Sequence, residues 1–307
     1  MTGKVVVVGS SNVDLLMKMP RLPRVGETVT DCTFAQAFGG KGANQAVGAA
    51  RARGAVVFVS CVGDDGYGGQ VIESLRQDGI DTRFVSRERG VATGTALIMV
   101  GGEGHNYLAV APGANYRLTP AHVDRARGAL EEAAIIGTQC EILPETLDYV
   151  ITLGTKLGKP VMLNLAPARP VSAASLGRLA YLSVNETEAE FLTGLKVATE
   201  RDVEAAAQAL LAKGPKTVVL TLGARGAYVA GAGVSGTLVP GFAVEAEDTT
   251  AAGDVHCGAF AVALVEGRPL LEAARFANAA AALSATKLGA QPSAPKREDI
   301  EALLLGR

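Results

Sequence analysis

The 307-residue chain has no tryptophan, three histidines and four cysteines. Cys32, Cys61, Cys140 and Cys257 are widely spaced, with no CxxC pair. That pattern excludes a disulfide framework and a zinc knuckle, and it points to a reducing cytoplasm. His105, His122 and His256 are too scattered in sequence to suggest a metal site or a triad, and His122, after Thr119-Pro120, reads as a surface residue at a helix start. Charge of one sign is also missing. A formal net charge of −2, with no Lys/Arg cluster, gives no electrostatic case for nucleic acid or a membrane surface as partner. No apolar run approaches the length that crosses a bilayer. GxxxxGK[ST] and GxGxxG are both absent, which excludes the two commonest phosphate loops, and no serine stands in a nucleophile elbow.

What is present is abundant glycine and alanine in a chain that is 48% apolar and only 20% charged, a soluble and compact α/β profile. Met1-Thr-Gly-Lys4 leads straight into Val5-Val-Val-Val8 and Gly9, a buried strand rather than a secretion signal. Short β-rich runs at 55–61, 133–137, 160–165, 179–184 and 217–222 alternate with helical patterns at 40–53, 67–78, 144–157, 186–192 and 200–213. Such alternation predicts a central, mostly parallel sheet with helices on both faces. Helices at 252–266, 270–287 and 297–304 close the chain. The stretches 13–38 and 84–110 break the alternation with short strands and glycine turns, Gly101-Gly-Glu-Gly104 among them. They predict a small antiparallel β lid over a pocket, within a single domain covering 1–307. Two extra edge hairpins on the main sheet would fit the same pattern.

Five segments carry candidate chemistry. Asn12-Val13-Asp14 follows the first strand, where ligands collect in open α/β sheets, though Asn-x-Asp there also makes an Asx-turn. Gly39-Gly40-Lys41-Gly42-Ala43-Asn44 brings backbone and two polar side chains close to whatever lies before the next helix. Asn185-Glu-Thr-Glu188 is either a capping box or a carboxylate that holds Mg²⁺ through water near phosphates. Thr221-Leu222-Gly223-Ala224-Arg225-Gly226 suits a nucleotide across a strand end and equally a hairpin turn. Asp248-Thr-Thr-Ala-Ala-Gly-Asp254 opens a helix. Its N-terminal N–H groups attract phosphate, and a carboxylate beside them can act as a general base.

Taken in order, these segments resemble the ribokinase family of carbohydrate kinases over nearly the whole chain. Gly39-Gly-Lys-Gly-Ala-Asn-Gln45, Gly113-Ala-Asn115, Asn164 and Gly289-Ala-Gln-Pro-Ser293 add to the match. The resemblance implies ATP-dependent phosphorylation of D-ribose at O5. Asp254 would be the general base, and the N–H groups of Ala251, Ala252 and Gly253 an anion hole. Asn12, Val13, Asp14, Gly40, Lys41, Gly42, Ala43, Asn44 and Glu141 would line the sugar. Asn185, the segment Thr221 to Gly226, Gly253, Asp254 and Asn278 would meet the nucleotide, with Glu188 associated with Mg²⁺. Asp248, Thr250, Ser284, Lys287, Gly289 and Ser293 would form a K⁺ loop, and the lid would pair in a homodimer. Deoxyribose, fructose, a sugar acid or a nucleoside are rival acceptors. A sugar-binding protein without catalysis is a rival of another class, opposed by the intact Ala-Ala-Gly-Asp254. The family usually writes Thr-Phe-Asn after its catalytic aspartate, where this chain has Val255-His256-Cys257.

Overall fold

The computed structural model describes residues 3–102 and 106–306. From the N-terminus the chain forms β1 (Lys4–Val8), β2 (Asn12–Lys18), β3 (Thr33–Gly39), α1 (Lys41–Arg51), β4 (Ala55–Gly63), α2 (Gly66–Gln77), β5 (Asp81–Glu88), β6 (Gly94–Val100) and β7 (Asn106–Ala111). Then come α3 (Pro120–Arg125), α4 (Arg127–Glu132), β8 (Ala133–Gln139), α5 (Pro144–Lys156), β9 (Val161–Asn164), α6 (Ala173–Leu176), β10 (Tyr181–Asn185), α7 (Glu186–Thr193) and α8 (Glu200–Leu211). The last third holds β11 (Thr217–Thr221), β12 (Gly226–Gly231), β13 (Val234–Pro240), α9 (Ala252–Val265), α10 (Leu270–Ala285) and α11 (Arg297–Leu304).

Among the described residues a nine-stranded sheet runs β13-β12-β11-β10-β9-β8-β1-β4-β5, and a second sheet runs β3-β2-β6-β7. In the large sheet β12 pairs antiparallel with both β11 and β13, and the other described pairs are parallel. The valines of β1 show why it lies at the centre. Val5 and Val7 enter one core, with α1, α9 and α10, while Val6 and Val8 enter the other, with α3, α5 and α8. A strand apolar on both faces belongs under two helical layers.

Two details of the expected lid need correction. Residues 84–88 belong to β5, which pairs parallel with β4 at the edge of the large sheet. Helix α2 ends before Gly79, whose φ of 77° turns the chain back to the sheet, so this stretch completes a β-α-β crossover. Nor is the lid wholly antiparallel, because β2 and β6 run parallel. Both strands leave the main body at the same place, Asn12 opposite Gly94. Of the expected turn at 101–104, residues 103 and 104 lie outside the described residues, as does His105.

Helices α1 and α9 cross where side chains are missing. A Cβ on Gly258 would stand 2.4 Å from the Gln45 carbonyl oxygen, and one on Gly48 would press on Val255 at 3.1 Å. This close approach puts the first turn of α9, with Asp254, directly beside Asn44 and Gln45 of α1.

Candidate active site

Asp254 is buried in the first turn of α9, whose N-cap is Ala251 in a left-handed conformation at φ 63°. Three side-chain amides converge on the carboxylate. Asn44 Nδ2 donates to Oδ2 at 3.1 Å, while Gln45 Nε2 at 3.3 Å and Asn164 Nδ2 at 3.1 Å both donate to Oδ1. Oδ1 is thereby occupied twice and Oδ2 once, so Oδ2 is the oxygen with room for an incoming proton. Behind this set Gln139 Nε2 donates to Gln45 Oε1 at 2.9 Å and fixes which end of Gln45 faces the acid. Burial raises the Asp254 pKa, opposed by the Lys41 charge and by the Asn44 amide. A carboxylate raised in this way is a better base than an exposed one.

The sequence motifs name Asp254, Asn44 and Asn164 but give no sign that Gln45 and Gln139 form a second layer. Gly9, facing Gln139, is the trace they leave. A Cβ there would lie 2.0 Å from Gln139 Oε1.

A cavity of about 190 Å³ opens in front of Asp254, lined also by Lys41, Asn164, Asn185, Glu188, Thr221 and Gly253. The Asp254 charge raises the Lys41 pKa most, with Glu141 and Glu188 adding to it against the cost of burial. One cation thus stands among three carboxylates. Glu188 answers both of its readings. Its Oε2 accepts from Asn185 N at 2.8 Å while its N–H donates to Asn185 Oδ1 at 2.8 Å, a complete capping box, and it lines the cavity as well. Burial raises its pKa.

The glycine segment before α1 takes a different form from a phosphate loop. Lys41 N donates to Glu141 Oε2 at 3.0 Å, Gly42 N to Ser10 Oγ at 3.3 Å and Ala43 N to Ser10 O at 2.8 Å. The helix's free N–H groups are therefore satisfied by protein oxygens. A Cβ on Gly40 would meet Ser11 Cα at 2.6 Å, and one on Gly42 would meet Ser10 N at 2.6 Å. These glycines let α1 seat on the 9–12 loop, leaving the Lys41 and Asn44 side chains to face the cavity and Asp254. Asn44 Oδ1 is buried with no partner, an acceptor awaiting a donor.

On the lid side, Asn12 Oδ1 accepts from Asn115 Nδ2 at 2.7 Å, and Asn115 Oδ1 takes the Ser11 N–H at 2.9 Å. Asp14 lies further along β2, and burial, helped by Glu141, pushes its carboxyl up to about 6. A Cβ on Gly39 would strike Asp14 Oδ2 at 2.2 Å, so the bare backbone there makes room for the carboxylate.

Several residues expected in the site are otherwise engaged. Val13 is a core side chain with no exposed surface. Asn278 donates to the Val239 and Pro240 carbonyls at 2.9 and 3.1 Å, which turns its amide nitrogen to the end of β13. Arg225 pairs with Glu186 at 3.0 Å, and the 221–226 segment is a hairpin turn, Leu222 N bonding to Gly226 O at 2.8 Å. Ala252 N donates to Thr249 O at 3.2 Å, so it must leave that carbonyl to serve an anion. His122 is corrected from surface to half-buried, since its ring meets Glu88 and Thr119.

An acid buried at a helix start, a polar cavity in front of it and a small sheet carrying Asn12 and Asp14 fit a nucleotide-dependent kinase of a small polyhydroxylated acceptor. The model of the pfkB family carbohydrate kinases matches residues 2–297, and the chain belongs to that family. It is 40% identical over 293 residues to a ribokinase of Haemophilus influenzae, covering 95% of each chain. It is 36% identical to a deoxyribokinase of Salmonella typhi, covering 98% of each. Among solved structures, Arabidopsis thaliana ribokinase complexed with ribose and ATP superposes with a TM-score of 0.94 at 34% identity, covering 99% of each chain.

Proposed function

We propose that this chain transfers the γ-phosphoryl group of ATP to the O5 hydroxyl of D-ribose. The observation that carries the reading is Asp254, buried at the start of α9 between the lid's polar groups and the cavity at the strand ends. Oδ2 of Asp254 takes the hydroxyl proton as O5 bonds to phosphorus, and the bond from phosphorus to the bridging oxygen of ADP breaks. Such transfers need mainly positioning and charge stabilisation from the protein. Asn12, Asp14, Asn44 and Glu141 hold the sugar. Lys41 and the N–H groups at Ala251 and Gly253, which line the cavity or lie beside it, face the charge that builds on the phosphoryl oxygens.

Two ions belong to this reading. Mg²⁺ supplies charge neutralisation on the nucleotide phosphates, and Glu188, the buried carboxylate lining the cavity, fits a water-bridged partner. For K⁺ the fit rests on Asp248. Its Oδ1 accepts from Thr250 N at 2.9 Å and its Oδ2 from Gly289 N at 2.9 Å, tying the 248–250 turn to the 284–293 loop. Ser284 and Ser293 join the same loop through a 2.7 Å hydroxyl contact. The hydrogen bonds hold the Asp248 carboxyl below its ordinary value against partial burial, so it stays anionic, a hard-oxygen group of the kind K⁺ takes.

Deoxyribose is the second reading, favoured by the deoxyribokinase relative. The unpartnered Asn44 Oδ1, with Asp14 nearby, supports ribose, because an extra hydroxyl pairs groups that otherwise stay buried and unpaired. A coupled ATP-consumption assay across a sugar panel, with and without K⁺, tests this. Ribose is expected to exceed 2-deoxyribose in kcat/KM by about tenfold or more, the scale of one such unpaired group. Turnover of another sugar with ribose at background would overturn the substrate assignment.

The lid also carries the proposal of a homodimer. Leu108 and Val110 are 63% and 50% exposed, and Phe34, Leu97 and Tyr107 are exposed on the same small sheet. An apolar sheet of this kind suits burial against a second copy. Replacing Leu108 and Val110 with aspartate is expected to shift the sedimenting species from dimer to monomer. A wild-type chain that sediments as a monomer at micromolar concentration would refute the pairing. Among the described residues no helix is long and apolar enough to cross a membrane. The four cysteines are unpaired, in keeping with a reducing cytoplasm.

A further inference from the structure

Away from the cavity, the fold brings together three side chains that are scattered in sequence. Cys61 is buried near the end of β4, Glu88 ends β5, and His122 lies in the first turn of α3. The parallel register sets Cys61 opposite Ser86 and Gly63 opposite Glu88, which puts thiol and carboxylate at the same end of the two strands. Helix α3 then lowers the imidazole onto them, with His122 Nε2 3.0 Å from Glu88 Oε1. The three candidate ligand atoms all lie within 4.8 Å of one another.

We propose that Cys61, Glu88 and His122 form a binding site for a zinc-type divalent cation, separate from the Mg²⁺ and K⁺ of the phosphoryl-transfer centre. A tetrahedral ion with bonds of about 2.0–2.3 Å holds its ligands roughly 3.3–3.8 Å apart. His122 Nε2 and Glu88 Oε1 already stand 3.0 Å apart, and the three atoms have to close from within 4.8 Å to that spacing as the ion binds. The donor set of thiolate, imidazole and carboxylate selects zinc over magnesium or calcium, which prefer oxygen alone. Three protein ligands leave the fourth position to water.

Thr119 holds the far ring nitrogen of His122, its backbone N–H donating to Nδ1 at 3.3 Å and its Oγ1 lying 2.8 Å from the same atom, which fixes the ring plane. In this arrangement Nδ1 accepts and Nε2 carries the ring proton toward Glu88, so a cation at Nε2 takes the place of that proton, and the ring's proton moves to Nδ1, where Thr119 Oγ1 accepts it. Burial beside Glu88 pushes the Cys61 thiol up to about 12, so the metal-free protein holds S–H and the cation must displace that proton. Arg125, of like charge to the ion, lies close enough to Cys61 to favour its ionised form. Its Nη2 donates to Ser86 Oγ at 3.0 Å, on the strand opposite Cys61. The site ties down the root of the lid. Two residues beyond Cys61, Gly63 N donates to Thr93 Oγ1 at 3.0 Å, immediately before β6.

Co²⁺ titration of the chelator-treated, nucleotide-free protein tests the site. The expected result is one equivalent of Co²⁺ per chain with visible absorption of tetrahedral form and a near-ultraviolet thiolate band, both removed by added Zn²⁺ and untouched by Mg²⁺. Cys61→Ser is expected to abolish the thiolate band and Cys32→Ser to leave it. Thr119→Val, which removes the hydroxyl beside His122 Nδ1 and leaves all three ligands in place, is expected to weaken binding by about tenfold. A wild-type protein with no thiolate band overturns the proposal whatever the variants do, and so does a band that survives Cys61→Ser. The readout is binding alone, so it stands or falls independently of the kinase reading.

Discussion

Asp254→Asn is expected to lower kcat by about 10²–10⁴-fold, the usual contribution of a positioned general base. The geometry makes the expectation more specific. Oδ1 of the substituted side chain can still accept from Gln45 and Asn164, but its new nitrogen would face the Asn44 nitrogen that now donates to Oδ2. Two donors cannot share that contact, so Asn44 must turn over and present its oxygen inward. That oxygen is the unpartnered acceptor that the proposed reading gives to the sugar. A smaller rise in the KM for ribose should therefore accompany the collapse of kcat, while the affinity for ATP stays close to wild type. Steady-state kinetics with both substrates varied, together with nucleotide binding by calorimetry, measure the three quantities. If kcat stayed within tenfold of wild type, Asp254 would not be the base.

His256→Phe is expected to stabilise the protein and to remove part of its sensitivity to acid. The ring is buried, stacks on Phe260 with centroids 6.0 Å apart, and has no hydrogen-bond partner for either nitrogen. Leaving such groups unpaired costs about 1–3 kcal/mol, which an apolar ring avoids. A phenyl ring in the same place keeps the stacking on Phe260. Burial pulls the imidazole pKa down to about 4, opposed only in part by the nearby Asn278 side chain, which lies outside hydrogen-bonding geometry. The sign of the pH effect follows. Between pH 6.5 and about 4 the unfolded chain binds a proton that the folded chain refuses, so stability falls as pH is lowered across that window. The slope is about 1.4 kcal/mol per pH unit and the total on the order of 3 kcal/mol. Urea unfolding at pH 7 and pH 5 should show wild type losing more stability than the variant between the two. Equal losses would show that His256 does not contribute to the acid sensitivity.

The sequence carried the large sheet almost strand for strand, because four valines in a row, or a β-rich run between two helical patterns, allow few other folds. It carried the first turn of α9 as well, since glycine, a carboxylate and an alanine-rich helix lie within ten residues. The lid was harder. Residues 84–88 resemble lid strands in composition, and only the pairing with β4 assigns them to the main sheet. The support behind Asp254 was harder still. Gln45 and Gln139 are 94 residues apart and meet only because α1 crosses α9 above β8. Cys61, Glu88 and His122 were invisible for the same reason. Strand register and the tilt of α3 juxtapose them, and no spacing along the chain records either. The bonding of the Asn278 amide nitrogen to the Val239 and Pro240 carbonyls was equally illegible, because it depends on where α10 lies against the end of β13.

The parallel pairing of β2 with β6 has a mechanical consequence. Both inner strands of the small sheet are rooted side by side, at Asn12 and Gly94, and Asn115 clamps the junction through Asn12 and Ser11. The sheet is thus a plate on one axle rather than two independent flaps. Asp14 rides on the plate, two residues from the axle, whereas Asp254, Asn44 and Lys41 are fixed to the frame by the glycine crossing of α1 and α9. On the proposed reading, gripping the acceptor falls to the small sheet and taking its proton to the frame, so any rotation of the sheet about that root would move one set of groups against the other.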